Sequence, residues 1–262
     1  MLKVEGLTKT LPNGKVLLDD ISFTVEPGEF LAILGASGAG KSLTLRCLVG
    51  LTSVTSGSVS YTGLDGTEHR LSELRGQQLR RSRSRIGVIF QGLNLVKRLR
   101  VIENVMLGRL GTINPLRSWL YGFKDKEALA ALEALEKTGM AEHAHRYTGS
   151  LSGGEMQRVA ISRAIHQTPD LYLADEPISS LDPGNARAIM ELLQPLSTER
   201  PVLGVFHQPD IVARFCTRVI ALKKGRVVYD GPPKLEQSLL SDIYGKELSS
   251  LSRNDVTLLR AG

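Results

Sequence analysis

Phe30-Leu31-Ala32-Ile33-Leu34-Gly35-Ala36-Ser37-Gly38-Ala39-Gly40-Lys41-Ser42 runs from five apolar residues through a glycine-rich turn to lysine and serine. The apolar run predicts a short strand buried on both faces, and the turn then opens into a helix. From Gly35 to Ser42 the spacing is that of a phosphate-binding loop, G-x-x-x-x-G-K-[ST], in its strand–loop–helix setting. Gly35, Gly38 and Gly40 let the backbone curl, so that the N–H groups of the loop, those of Ala36, Ser37 and Ala39 included, converge on one anion. The helix starting near Lys41 adds its positive dipole end. Lys41 offers a mobile ammonium to the β- and γ-phosphates, and Ser42 offers a hydroxyl to Mg²⁺. A glycine-rich turn that binds nothing is the alternative. It leaves the match of eight positions and both flanks to coincidence.

The bulk numbers constrain what surrounds this loop. A chain of 262 residues suffices for one large core or a core with an inserted subdomain. Its 42% hydrophobic and 23% charged residues are ordinary for a globular protein. The net charge of +6 suits nucleic acid, an anionic membrane surface or a phosphate ligand, and does not choose among them. The apolar run of the loop strand is far short of the roughly 20 residues a membrane helix needs. Met1-Leu2-Lys3-Val4-Glu5 lacks the apolar core of a signal peptide. Cys47 and Cys216 read as small core residues in a reducing compartment. The expectation is a soluble intracellular protein.

Before the loop, Leu2–Glu5 and Ile21–Val25 alternate in hydropathy around a Pro12-Asn13-Gly14 turn, which predicts antiparallel strands. Ser58–Tyr61 adds another short strand. Residues 68–85 carry Arg70, Arg75, Arg80, Arg81, Arg83 and Arg85. No aromatic residue interleaves with them to stack on bases, so a solvated basic helix is preferred over a nucleic-acid patch. Ile86–Phe90 is a strand ending at Gln91. From about 92 to 167 the texture is helical, as in Val101–Leu107 and Lys126–Thr138. Asn114-Pro115 opens a stretch holding Trp119, Tyr121 and Phe123, readable as a core cap or a docking surface. Strands return at 170–174, 202–206, 219–222 and 226–229, with a helix at 184–196 between them. Apolar strands alternating with helices predict an α/β fold with a mostly parallel sheet covered on both faces. Residues 236–262 read as a short helical tail.

Two further segments carry chemistry. Leu171–Ala174 ends in Asp175-Glu176, which sets an acid pair at the carboxyl end of a parallel strand, where ligands bind in such sheets. Asp175 is placed to hold a metal shell, and Glu176 to orient or deprotonate an attacking water. In Leu151-Ser152-Gly153-Gly154-Glu155, Ser152 is a good helix N-cap and Glu155 completes a capping box.

Together with the phosphate-binding loop, that last segment resembles the LSGGQ signature of the ATP-binding cassette (ABC) family in four of five positions. Gln157 and Arg158 continue in the family manner, and the resemblance covers about residues 1–235. It implies a P-loop NTPase cassette with a RecA-like core, an N-terminal antiparallel β subdomain and a helical subdomain inserted at about 92–167. By the same resemblance, Gln91 is the Q-loop residue that touches the metal or the attacking water. Ser180-Leu181-Asp182 form the D-loop, and His207 is the switch histidine at the γ-phosphate. The implied cofactors are ATP and Mg²⁺, with Ser42, Gln91 and Asp175 toward the metal, and Glu176, His207 and Lys41 as the catalytic residues. Leu151–Glu155 of one copy would close over ATP on a second, head-to-tail copy. Two features depart from the family pattern. Glu155 replaces the usual glutamine. Leu11 stands where an aromatic residue usually stacks on adenine, which weakens a stacking increment of about 0.5–1.5 kcal/mol.

The segment Asn94–Leu99, Val101, Glu103–Val105, Gly108–Gly111 and Trp119, with Leu135, Gly139, Met140 and the stretch from Phe215 to Gly231, is similar to the ATPase subunits of phosphonate importers. That resemblance implies transmembrane permease subunits as partners and, through them, an extracytoplasmic phosphonate-binding protein. It implies a peripheral location on the cytoplasmic face of the plasma membrane, with no nucleic-acid partner. Phosphite or another phosphorus oxyanion is the alternative solute. A non-transport ABC ATPase typically carries a coiled-coil insertion or two fused cassettes, and neither is present here. A purely structural subunit would have a degraded site, whereas Lys41, Asp175, Glu176 and His207 are all in place.

Overall fold

A computed structural model of the chain describes residues 1–111 and 125–245. The stretch through Trp119, Tyr121 and Phe123 and the end of the expected tail lie outside the described residues. The strands are β1 (Leu2–Thr10), β2 (Val16–Val25), β3 (Phe30–Leu34), β4 (Ser56–Thr62), β5 (Glu68–Arg70), β6 (Ile86–Ile89), β7 (Leu171–Asp175), β8 (Val202–Val205), β9 (Arg218–Lys223) and β10 (Arg226–Gly231). The helices are α1 (Lys41–Leu48), α2 (Gly76–Arg83), α3 (Val101–Met106), α4 (Asp125–Glu136), α5 (Gly153–His166), α6 (Pro183–Leu193), α7 (Pro209–Phe215) and α8 (Gln237–Tyr244).

Among the described residues the strands form two sheets. One is antiparallel, in the order β2-β1-β4-β5. The other runs β10-β9-β3-β8-β7-β6 and is parallel except for the β9–β10 hairpin at its edge. The pleat of β3 explains how one strand serves two cores. Leu31 and Ile33 face a cluster that includes Leu2, Phe23 and Val25 of the antiparallel sheet and Leu45 of α1. Phe30, Ala32 and Leu34 face the opposite cluster, built with Ile161 of α5, Ile189 and Met190 of α6, and Val212 of α7. A strand buried on both faces must be apolar throughout, and all five β3 residues are buried. Because β3 lies in the middle of its sheet, the loop at its carboxyl end is held from both sides.

A third cluster joins α3, α4 and α5 through Val101, Val105, Leu135 and Val159, and Ile165 of α5 packs against both it and the second core. The fully buried Asn104 pins the preceding loop to it. Its Oδ1 accepts from Val96 N–H (2.8 Å), and its Nδ2 donates to Val96 C=O (3.0 Å) and Thr148 Oγ1 (2.9 Å).

The basic segment departs from the expected single helix over 68–85. Residues 68–70 instead pair with β4 as a strand, and the helix begins only at Gly76. Nor do its arginines form one patch. Arg83 donates to the carbonyls of Val49 (3.0 Å) and Gly50, closing the end of α1. Arg85 donates to the buried Asp170 from Nε (2.6 Å) and Nη2 (3.2 Å), while Asp170 also accepts from Leu64 N–H (3.0 Å). Charge counting cannot see these contacts. They join the loop after β4 to the residue just before β7, and so tie the two sheets together. Asp170→Asn removes the charge from this buried group and is expected to lower stability by about 2–3 kcal/mol, discounted from a fully buried pair because Arg85 is partly exposed. Urea unfolding monitored by circular dichroism measures the loss. A change below about 0.5 kcal/mol would show the pair to be idle.

Candidate nucleotide site

The loop after β3 has the backbone its sequence requires. Gly35 takes φ 153°, and a Cβ there would lie 2.4 Å from the Leu222 carbonyl of β9. Gly40 takes φ 107° as the N-cap of α1, where a Cβ would lie 2.6 Å from Leu18 Cδ2 of β2. Only glycine satisfies both the torsion and the space at these two positions. The turn between β9 and β10 secures the loop from the far side, with Gly225 N–H donating to Ala39 C=O (3.0 Å). Lys41 is buried, and its Nζ donates to the carbonyls of Gly35 (2.6 Å) and Ala36 (3.0 Å). The ammonium therefore lies folded along the loop, within a short swing of any anion the loop amides hold. Ser42 follows as the second residue of α1, and α1 packs against β7 and β8.

That packing brings the acids to the loop. Asp175 ends β7 and is buried, with Oδ1 lacking any hydrogen-bond partner. Burial pushes its carboxyl above the ordinary range. The Ser42 hydroxyl opposes this shift, the charge of Glu176 adds to it, and Arg46 and Lys41 also oppose it. A buried carboxylate oxygen without a partner, next to a serine hydroxyl and a phosphate-binding loop, is a donor set that fits Mg²⁺. That ion takes one or two carboxylates and fills its other positions from phosphate and water. Consistently, no group of three or more His, Cys, Asp or Glu among the described residues forms a self-sufficient metal cage.

Glu176 sits one residue beyond the strand at φ 50°, a left-handed turn that a non-glycine residue adopts only under constraint. The turn aims its carboxylate across neighbouring strand ends. Oε2 accepts from Gln91 Nε2 (2.9 Å), and Oε1 lies 2.7 Å from His207 Nε2. Gln91 follows β6 and His207 follows β8, the two neighbours of β7 in the sheet. The ends of three adjacent parallel strands thus deliver an amide, a carboxylate and an imidazole to one point.

The second candidate anion site lies on the helical cluster. Ser152 caps α5 with extended backbone. Its hydroxyl accepts from Glu155 N–H (3.4 Å), and Glu155 Oε2 accepts from both Ser152 N–H and Ser152 Oγ–H (2.7 Å each). Accepting from the Ser152 N–H holds the Glu155 carboxyl below its usual value, the Ser152 hydroxyl contributing next. Leu151 is buried while Ser152 and Gly153 are exposed, so the apolar residue anchors a helix start that faces outward. Asp182 caps α6, accepting from Asn185 N–H (3.1 Å) and Asn185 Nδ2 (2.6 Å), while Ser180 is exposed and Leu181 packs on the second core. Asn185 was not singled out from sequence. A Cβ on Gly154 would lie 3.2 Å from its Oδ1, so Asn185 joins the start of α5 to the 180–182 segment. Its position three residues after an aspartate N-cap is the only signal the sequence offered. Leu11 is half-buried at the base of the β1–β2 hairpin turn, its N–H donating to Lys15 C=O (2.9 Å).

The chain is similar to known proteins over most of its length. Residues 18–179 match the family model described as ABC transporter. The chain is 43% identical over 95% of its length to the "Phosphonates import ATP-binding protein PhnC" of Stutzerimonas stutzeri, covering 91% of that protein. It is 45% identical over 94% of its length to the protein of the same name from Nitratidesulfovibrio vulgaris, covering 92% of it. Among solved structures, the dimeric MJ0796, a bacterial ABC transporter cassette, superposes with a TM-score of 0.75 at 32% identity. That match covers 90% of this chain and all of the other.

Proposed function

This chain belongs to the ABC transporter family of ATP-binding cassettes, and from that premise we propose that it hydrolyses ATP to energise an importer of phosphonates. The observation that carries the hydrolytic half is the convergence of Gln91, Glu176 and His207 at the carboxyl end of the sheet, beside Asp175 and the phosphate-binding loop. The phosphonate half rests on near full-length similarity to proteins named for phosphonate import.

The loop amides and Lys41 bind the triphosphate and neutralise its charge. Ser42 and Asp175 hold Mg²⁺, which when bound polarises the phosphoryl group and neutralises charge developing on it. Glu176, held by Gln91 on one side and His207 on the other, accepts the proton of the attacking water. His207 is positioned to follow the γ-phosphate and to fix the Glu176 carboxylate through a 2.7 Å contact. The exposed α5 N-terminus at Ser152 and Gly153 is a donor-rich surface facing away from its own core, suited to the ATP on a second copy in head-to-tail fashion. The dimeric state of the MJ0796 cassette supports that arrangement. Two copies would then close on two ATP molecules and reopen after hydrolysis, an order-of-contacts switch governed by the γ-phosphate.

No helix among the described residues is long and apolar enough to cross a membrane. Transport would therefore run through permease subunits, fed by an extracytoplasmic phosphonate-binding protein, with this chain peripheral on the cytoplasmic face. Deleting the chain is expected to abolish growth on methylphosphonate as sole phosphorus source while sparing growth on phosphate. Loss on phosphite alone would move the solute to that oxyanion. Undiminished growth on methylphosphonate and phosphite alike would overturn the importer reading.

A further inference from the structure

Just beyond Gln91 the backbone does something unfavourable. Leu93 and Asn94 take φ of 57° and 50°, two consecutive non-glycine residues in the left-handed region. Each such residue costs about 1 kcal/mol or more, with Asn the more tolerant of the two. Short local bonds, Leu93 N–H to Phe90 C=O (2.9 Å) and Asn94 N–H to Gly92 C=O (2.6 Å), define a tight turn but do not account for its being kept.

Arg163 of α5 supplies the missing constraint. Its Nη2 donates to Leu93 C=O (2.6 Å) and its Nη1 to Asn94 C=O (2.7 Å), so one planar fork takes both carbonyls at once. No carboxylate among the described residues pairs with this guanidinium, and burial pushes its pKa below the ordinary arginine value. A partly buried cation bound only to neutral carbonyls is an expensive arrangement for mere packing. The turn after α3 backs it closely, since a Cβ on Gly108 would lie 2.5 Å from the Arg163 carbonyl and 3.1 Å from its Cγ. Arg163 and Asn94 also border a cavity of about 340 Å³, lined in part by Leu107 and Gly108. Without the fork, the segment has room to relax.

We propose that Arg163 is a positioning residue, whose two bonds to Leu93 and Asn94 hold the left-handed turn that delivers Gln91 to Glu176. The turn is thereby fixed to α5, the helix capped by Ser152. This rests on the assignment of Gln91 and Glu176 to hydrolysis.

The test uses the purified full chain with Arg163→Lys, which keeps the charge and loses the fork, and Arg163→Gln. Each is made alone and with Gln91→Ala. If Arg163 acts through Gln91, either variant lowers kcat about tenfold or more, because small misplacements of a catalytic group are amplified. The Kd of a fluorescent ATP analogue stays within about twofold, because the Arg163 guanidinium bonds to the carbonyls of Leu93 and Asn94 and not to the loop of residues 35–42. In the Gln91→Ala background the same substitutions cost less than about twofold further. Amide hydrogen exchange at Leu93 and Asn94 accelerates selectively. If one variant does not melt cooperatively, the other carries the measurement. Multiplicative losses with Gln91→Ala, a parallel loss of nucleotide affinity, or unchanged exchange at 93–94 would each overturn the proposal. Failure of the underlying assignment would look different, since Gln91→Ala alone would then leave kcat at the wild-type value.

Discussion

Glu176→Gln binds ATP and does not turn it over: kcat is expected to fall by about 10²–10⁴-fold, the range a general base contributes. The substitution is nearly isosteric, and that makes it informative. An amide at 176 can still bond to His207 and Gln91, which reach it at 2.7 and 2.9 Å, so the strand ends stay assembled. What disappears is the capacity to take a proton and one negative charge. That charge is felt at Asp175, whose carboxyl it helps to push up, and it repels a triphosphate in the same place. Affinity for ATP should therefore be retained or improved, and a dimer closed around ATP should accumulate because nothing discharges it. Steady-state phosphate release, nucleotide filter binding and size-exclusion chromatography with ATP together read this out. Turnover at the wild-type rate would remove Glu176 from the chemistry and leave His207 as the group to examine.

Most of what positions that acid was legible in the sequence, for an identifiable reason. Strands β3 and β7 are continuous apolar runs, and a run buried on both faces has only one place in such a fold, the interior of a parallel sheet. Once both strands run parallel in one sheet, the loop after one and the acids after the other lie at the same sheet edge, here with β8 between them. The Ser152 cap was legible because a capping box is a local pattern of residues three apart. Features that depend on distant partners were not. The left-handed backbone at Glu176 and at Leu93-Asn94 has no local signature, because neither Glu nor Leu favours it and tertiary contacts impose it. The arginines of 68–85 looked alike on paper, yet Arg83 and Arg85 differ from Arg70 and Arg75 through partners at residues 49, 50, 65 and 170. A three-residue strand such as β5 is set by the edge it joins and not by its own composition.

Ser152→Arg should abolish hydrolysis while leaving nucleotide binding by the monomer intact, a separation that only a site shared between two chains produces. Locally the change removes the cap acceptor for Glu155 N–H and sets a cation against the positive end of α5. These effects amount to about 1–2 kcal/mol, a tolerable loss for a domain of ordinary stability. The phosphate-binding loop does not depend on that cap. It is held by Leu222 and Gly225 of the β9–β10 region and by α1 against β7 and β8, so monomeric affinity should change less than about twofold. Ser152 and Gly153 are exposed in the single chain, and an arginine there meets nothing until a second copy closes. Closure then has to fit a long side chain where a hydroxyl fitted, which holds the two copies apart, and hydrolysis should drop by at least about 100-fold. Ser152→Ala serves as the control, since it also loses the cap acceptor but adds no bulk and should retain most of the ATP-dependent dimer. Comparing the two separates the cap from the interface. If Ser152→Arg instead loses ATP binding as a monomer, the α5 N-terminus acts on its own chain. If it hydrolyses normally, that surface closes over nothing.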